Sequence, residues 1–243
     1  MKIDFSFIGN RLAPANILFA GVSLLMAGIA ATELSSTAKF SDLTYLSSTL
    51  SAGDAHNKEM LRRMIPLAKQ IVDDKICRSD LVEAGLYFIL LNLDIQNSFT
   101  DFDGWAAAMG GAETYIRHGL TCNPTNGYLW GRLAMVRQAS GENSEELSQL
   151  LTQSALFNPT EINALRVRFF VWRRANARTL ALASDAVSRD VRVVLSYADI
   201  PVVKEVFAGG SADLKPYVSS AMTLVSRDRL DLFAKRKFDP TAF

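Results

Sequence analysis

An all-α fold, with one N-terminal transmembrane helix followed by an array of helices, is what this sequence predicts, and three observations predict it. The run from Leu12 to Thr32 contains no charged residue. Beyond Lys39 apolar residues recur at helical spacing between short polar breaks. No stretch alternates with the period of two that marks a half-buried strand.

The first helix follows from the bilayer. At about 1.5 Å of rise per residue, Leu12–Thr32 is long enough for a hydrocarbon core roughly 30 Å thick. Pro14 suits the first turn, where its missing N–H has no intrahelical partner, so the helix is expected to begin near Ala13. Lys2, Arg11 and the terminal amine precede the span, Glu33 follows it, and the next cation is Lys39. The positive-inside rule then places residues 1–11 in the cytoplasm and the rest beyond the membrane. This gives a single-pass protein of a bacterial-type inner membrane, with residues 12–34 in the lipid bilayer, a linker and first helix over 35–56, and a periplasmic helical domain over 57–243. The alternatives are a signal peptide cleaved near Gly28-Ile29-Ala30-Ala31 and a buried core helix. The length of the run opposes the first and its lack of a polar stripe the second.

Composition narrows the function. With 243 residues and 49% hydrophobic content, the chain can bury a full core. The 26 basic and 25 acidic residues leave a formal charge of +1, without the broad positive field of a general nucleic-acid binder, so no nucleic-acid partner is expected. Two cysteines, Cys77 and Cys122, supply neither a disulfide framework nor a structural zinc site, though one bridge is possible.

Helices are expected at about 41–52, 57–76, 80–97, 103–121, 127–140, 144–157, 161–177, 179–198, 200–208 and 212–236. Ser79 and Ser144 read as caps, and Asp80 and Glu83 suit the first turn of the third of these. Leu147, Leu150, Leu151 and Ser154 form a stripe to be buried, as do Leu224, Val225, Leu232 and Phe233 on the basic terminal helix.

Two segments align without a gap, Asn123-Pro124-Thr125 with Tyr128-Leu129-Trp130 behind it and Asn158-Pro159-Thr160 with Asn163-Ala164-Leu165 behind it, and their prolines stand 35 positions apart. Trp130, Leu133, Ala134 and Gly141 occupy the aromatic, leucine, small-residue and turn-glycine places of a tetratricopeptide first helix. On these residues the region 103–177 resembles the tetratricopeptide-like helical-repeat family, about a third of the chain. Three departures accompany the match: Arg137 stands where a tyrosine is usual, Glu146 where alanine is usual, and the unit is one residue long. The resemblance implies a right-handed stack of antiparallel helix pairs with a concave binding surface, and no catalysis. An irregular helical bundle is the alternative.

The repeat register also implies that Cys77 and Cys122 lie at the same end of the stack, where an exported domain would permit a disulfide if the helix ends converge. Two ordinary buried thiols are the alternative.

Arg166, Arg173 and Arg174 share a face at i, i+7 and i+8 in a segment that also holds Arg168 and Arg178. Guanidinium forks suit carboxylate or phosphate, so this face is a candidate for an acidic protein, an anionic polysaccharide or a lipid headgroup. A solvated face paired with Glu161, Asp185 and Asp190 is the alternative. Trp130, Arg137, Arg166, Arg173 and Arg174 are the candidate partner contacts.

Catalytic motifs are lacking in the sequence. His56 and His118 belong to no metal-ligand or nucleophile pattern, there is no phosphate loop, and Asp101 and Asp103 beside Trp105 read as helix caps. Gly110-Gly111 reads as a helix irregularity and Gly209-Gly210 as an interhelix turn. No cofactor is expected. Three functions fit: a non-catalytic anchored adaptor in a cell-envelope assembly such as polysaccharide biosynthesis or export, a structural accessory subunit of a larger membrane complex, and an envelope enzyme on a helical scaffold.

Overall fold

The computed structural model describes residues 14–50 and 58–242. The expected cytoplasmic segment 1–11, the start of the span at Leu12 and Ala13, and His56 lie outside the described residues. Among those described there are thirteen α-helices, one short 3₁₀ turn and no strand. The chain divides into two compact units, Met1–Ala55 and His56–Phe243.

In the first unit, α1 (Pro14–Lys39) and α2 (Ser41–Thr49) follow one another. The span expected to stop near residue 34 continues as helix to Lys39. Helical propensity does not distinguish lipid from water, so the helix outlasts the apolar run. Asn16–Lys39 is long and apolar enough to cross a membrane, and none of its most apolar stretch is buried in protein. Leu18, Phe19, Leu24 and Leu25 are all exposed.

The second unit begins with α3 (Lys58–Asp73), whose buried Leu61, Met64, Ala68 and Ile71 mark a single apolar stripe. Its end is made by the backbone. Lys75 takes the left-handed conformation at φ 52, its N–H donates to Val72, and the Ile76 N–H donates to Ile71 at 2.9 Å. This is a Schellman turn with lysine where glycine is usual. The central helix α4 (Ser79–Asp94) buries Leu81, Val82, Leu86, Phe88 and Ile89, because it packs on α3 and on α5 (Phe102–Cys122). Gly85 admits the Tyr115 ring, since a Cβ there would lie 2.0 Å from the Tyr115 hydroxyl oxygen. The hydroxyl donates to the Val82 carbonyl at 3.0 Å, and burial raises its pKa.

From α5 onward the helices α6 (Gly127–Ser140), α7 (Ser144–Phe157) and α8 (Ile162–Trp172) are joined by short turns. The order of packing is α5 on α6, α6 on α7 and α6 on α8. Two glycines on one face of α6 permit that close approach. A Cβ on Gly127 would come within 2.6 Å of the Ser154 carbonyl oxygen, and one on Gly131 within 2.8 Å of Val167. The stripe Leu147, Leu150, Leu151 and Ser154 is buried as expected.

Several expected boundaries shift for local reasons. Helix α4 is preceded by Arg78 rather than capped by Ser79, and α7 is capped by Asn143, whose side chain accepts from Glu146 N–H. Ser144 is instead buried inside the helix and bonded to Asn176. The segment 161–177 ends as helix at Trp172, and 179–198 is two helices, α9 (Ala177–Leu182) and α10 (Ser184–Tyr197), with Asn176 capping the first through Thr179 N–H. After α11 (Ile200–Phe207), Gly209 turns the chain at φ 70 as expected. Gly110-Gly111, by contrast, lies inside an uninterrupted α5. The segment 212–236 breaks into the 3₁₀ turn Ala212–Leu214, α12 (Lys215–Met222) and α13 (Arg227–Lys235). That break resets the helical phase, so Val225 and Phe233 are buried while Leu224 is exposed.

Helices α6, α7, α8 and α10 meet at one fully buried ion pair. Arg168 grips Asp190 with two parallel bonds, Nε at 2.6 Å and Nη2 at 2.9 Å. Its Nη1 donates to the Asn158 carbonyl at 3.0 Å and to Ser154 Oγ at 3.2 Å. Trp172 Nε1 donates to the same carboxylate at 2.9 Å. Ser154 Oγ in turn donates to the Gly127 carbonyl, and Asn158 Oδ1 accepts the Gly127 N–H. Removing one partner strands a charge in the core, at a cost of about 3–5 kcal/mol. Arg168→Ala and Asp190→Ala are each expected to lower stability by that order in denaturant unfolding, while Arg168→Met with Asp190→Leu recovers much of the loss. Additive losses in the double variant would show that the pair is not coupled.

Candidate functional site

The best candidate is a cleft of about 210 Å³, open to solvent, between α6, α8 and α11. Its charged lining is Arg132 from α6, Arg166 from α8, Arg173 at the C-cap of α8 and Glu205 from α11. Met135, Phe169 and Phe170 supply apolar wall. Three guanidinium groups thus face one carboxylate.

Each arginine is held differently. Arg166 pairs with Glu205 at 3.1 Å, with both side chains substantially exposed. Arg173 donates to the Ala208 carbonyl at 3.1 Å, and its pKa is lowered by burial and then by the adjacent Arg174 guanidinium, despite Glu205. Arg132 donates to Tyr128 Oη at 2.5 Å and lies over that ring at 4.9 Å. Its Nε–H is enclosed and has no acceptor. Arg174 stacks on Phe170 at 4.0 Å, with Arg173 also over that ring at 5.4 Å. Stacking presents the guanidinium planes with little loss of side-chain freedom on binding.

The sequence-predicted residues do not all meet here. Arg166 and Arg173 line the cleft and Arg174 stands beside it on Phe170. Trp130 is half-buried and donates to the Pro124 carbonyl at 2.8 Å, tying its helix to the turn before it. Arg137 lies between two carboxylates, Glu146 at 3.0 Å and Glu113 at 3.3 Å. Neither lines the cleft. Arg137 and Glu146, two of the three departures from the tetratricopeptide pattern, are therefore partners in one ion pair. The proposed surface partners of the arginines also differ: Asp190 is buried on Arg168, and Glu161 caps α8 through Asn163 and Ala164 N–H. Arg178 pairs with Glu145. Sequence reading missed Arg132 and Glu205, and the one local hint was Tyr128 one helical turn before Arg132.

The two Asn-Pro-Thr segments take matching roles. Asn123 and Asn158 both close a helix, at φ −140 ψ 82 and φ −130 ψ 68, and three residues on Asn126 and Glu161 both cap the next helix with a side-chain oxygen. Gly141 ends α6 at φ 148.

A second cluster lies at the end of α5. Cys77 and Cys122 are joined in a disulfide with Cα atoms 5.2 Å apart. With His118 they form the cluster of metal-ligand type present among the described residues. Both sulfurs are committed to each other, which leaves the imidazole alone as a ligand. Asp101 accepts from Gly104 N–H and caps α5, as expected.

No protein-family model, no curated protein and no solved structure matches this chain.

The Arg137 cluster makes acid stability testable. Burial pushes the Glu113 carboxyl up, but the guanidinium groups of Arg117 and Arg137 outweigh it and hold the pKa below the ordinary glutamate value, which is about 4.3. A depressed folded-state pKa contributes stability that is complete above the unfolded value and is lost as pH falls through the folded one. Glu113→Gln is therefore expected to unfold at lower temperature than the parent at pH 6, with the difference shrinking below about pH 4.3. A difference independent of pH would sink this assignment.

Proposed function

We propose that this chain is a non-catalytic, membrane-anchored adaptor that docks an acidic partner, a protein surface or an anionic polysaccharide, in a cell-envelope assembly such as polysaccharide biosynthesis or export. The observation that carries the reading is the arginine cleft, where Arg132, Arg166 and Arg173 surround Glu205 alone. Excess positive charge on a stacked, partly enclosed surface is complementary to carboxylate or phosphate. In this reading α1 spans a bacterial-type inner membrane with its N-terminus in the cytoplasm, and the helical body lies in the periplasm. The charge order around the apolar run supports that orientation, and the disulfide fits an oxidising compartment. The repeated Asn-Pro-Thr turns with their matched caps support a tetratricopeptide-like arrangement of α5–α8, in which short turns leave one face of the first helices open to a partner.

Docking is measured on the full chain in detergent, with a polyuronate and a polyglutamate peptide as probes. Arg166→Glu with Arg173→Glu is expected to weaken binding of at least one probe about tenfold or more, the loss of two charge-assisted contacts, and to flatten its salt dependence. Arg236→Glu with Lys237→Glu, an equal change of net charge elsewhere, is expected to leave it within about twofold. Equal losses in both variants would reduce the cleft to non-specific charge.

A second reading, an accessory subunit held through its span, is favoured by one observation: Gly21 and Gly28, seven residues apart on α1, each have open space where a Cβ would be. Such a small-residue face permits close packing with another membrane helix. Gly21→Leu with Gly28→Leu is expected to abolish membrane crosslinks through α1 on this reading and to leave them unchanged if α1 is a tether only.

A further inference from the structure

The disulfide has asymmetric surroundings. Cys77 follows the left-handed turn that ends α3, and its residue is exposed, whereas Cys122 is the last residue of α5 and half-buried. His118 lies one helical turn before Cys122 on the same face. Its Nε2 is 2.9 Å from the Ile76 carbonyl oxygen and 3.7 Å from Cys122 Sγ. A carbonyl oxygen can only accept, so Nε2 carries the proton. That N–H is given to the Ile76 carbonyl in the oxidised chain, and Cys122 Sγ lies 3.7 Å from the same nitrogen, near enough to share it. Cys77 is the more exposed residue of the two.

We propose that Cys77–Cys122 is a thiol-exchange site, in which a thiolate from an external dithiol attacks Cys77 and Cys122 departs toward His118. A bond forms between the incoming sulfur and Cys77 Sγ as the Cys77–Cys122 bond breaks. The electron pair of the broken bond goes to Cys122 Sγ, toward which the Nε2–H turns from the Ile76 carbonyl, and the thiolate then takes a proton from solvent. The second thiol of the dithiol then attacks the mixed disulfide, releasing Cys77 as a thiol and leaving the dithiol oxidised. Two electrons pass from the dithiol to the protein cysteines, and run in reverse the same steps restore the bond.

Which sulfur is attacked depends on access and on the stability of the leaving thiolate. The helix ends alone would choose otherwise, since Cys77 precedes the positive end of α4 and Cys122 lies at the negative end of α5. Exposure of the Cys77 residue and a shareable N–H near Cys122 both act against that preference. A hydrogen bond to an ionised sulfur is a closer and stronger interaction than a diffuse dipole. The partner is accordingly a dithiol whose reactive sulfur meets an exposed loop. The bond ties the loop between α3 and α4 to the residue that leads into the first Asn-Pro-Thr turn, so exchange releases that loop from the end of α5.

The test uses the oxidised full chain in detergent with reduced glutathione as a monothiol probe, which stops at the mixed disulfide. Acid quenching, maleimide trapping and peptide mapping are expected to find glutathione on Cys77 and maleimide on Cys122. His118→Ala is expected to slow adduct formation, because the leaving sulfur loses the N–H that stabilises it, and His118→Gln, which retains an N–H, to recover part of the rate. The thermal midpoint of each oxidised variant is read alongside, so a loss of fold is distinguished from a loss of the donor. Glutathione on Cys122, equal rates in the parent and His118→Ala, or no adduct over times in which a linear peptide disulfide exchanges fully would each overturn the proposal. Adduct mapping on the parent chain decides the direction of attack without any variant.

Discussion

The buried Arg168–Asp190 pair is the constraint around which the second unit is organised. A guanidinium with 0% exposure is tolerated only if its donors are satisfied, and satisfying them dictates where four helices go. Asp190 draws α10 against α8, and the Ser154 and Asn158 carbonyls bring the end of α7 to the same point. Trp172 fills the remaining approach to the carboxylate. Ser154 and Asn158 then pass the constraint to the first residue of α6 through Gly127. The second Asn-Pro-Thr segment is thus more than a turn, because its asparagine ends one helix, holds the start of another and receives the arginine.

The proposed docking cleft sits one side-chain register away from that pair. Arg168 is buried because it faces α10, while Arg166 and Arg173 open on the gap toward α11. Alternation of burial along a single short helix therefore separates a structural arginine from two available ones. Glu205 draws α11 toward α8 through Arg166 but neutralises only part of the charge. Arg173 and Arg174 both lie over the Phe170 ring. A scaffold presenting excess charge on packed helices suits the proposed docking, because little ordering accompanies association.

The ion pairs elsewhere have a different character. Arg137, Glu113, Glu146 and Arg117 form a partly exposed network across α5, α6 and α7, where solvent screening limits each contact. It joins consecutive helices at the surface as the Arg168 network joins them in the core. The disulfide adds a third kind of tie, covalent and local, at the opposite boundary of α5 from its Asp101 cap.

Local chemistry was legible in the sequence. The uncharged run before Glu33 determined an apolar helix, the absence of period-two alternation determined an all-α fold, and the Asn-Pro-Thr recurrence determined two equivalent turns. These depend on neighbours within a few residues, which the sequence lists in order. The buried stripe on α7 followed for the same reason. Tertiary structure alone decided that Arg168 belongs to the core and Arg166 to the surface, since both carry the same charge on the same segment and differ only in what α10 and α11 bring to them. It also decided that Asn143 rather than Ser144 caps α7, because Ser144 is itself buried and bonded to Asn176 more than thirty residues away. The joining of Cys77 to Cys122 likewise rests on α3, α4 and α5 converging at one end, a distance in space that spacing along the chain does not encode.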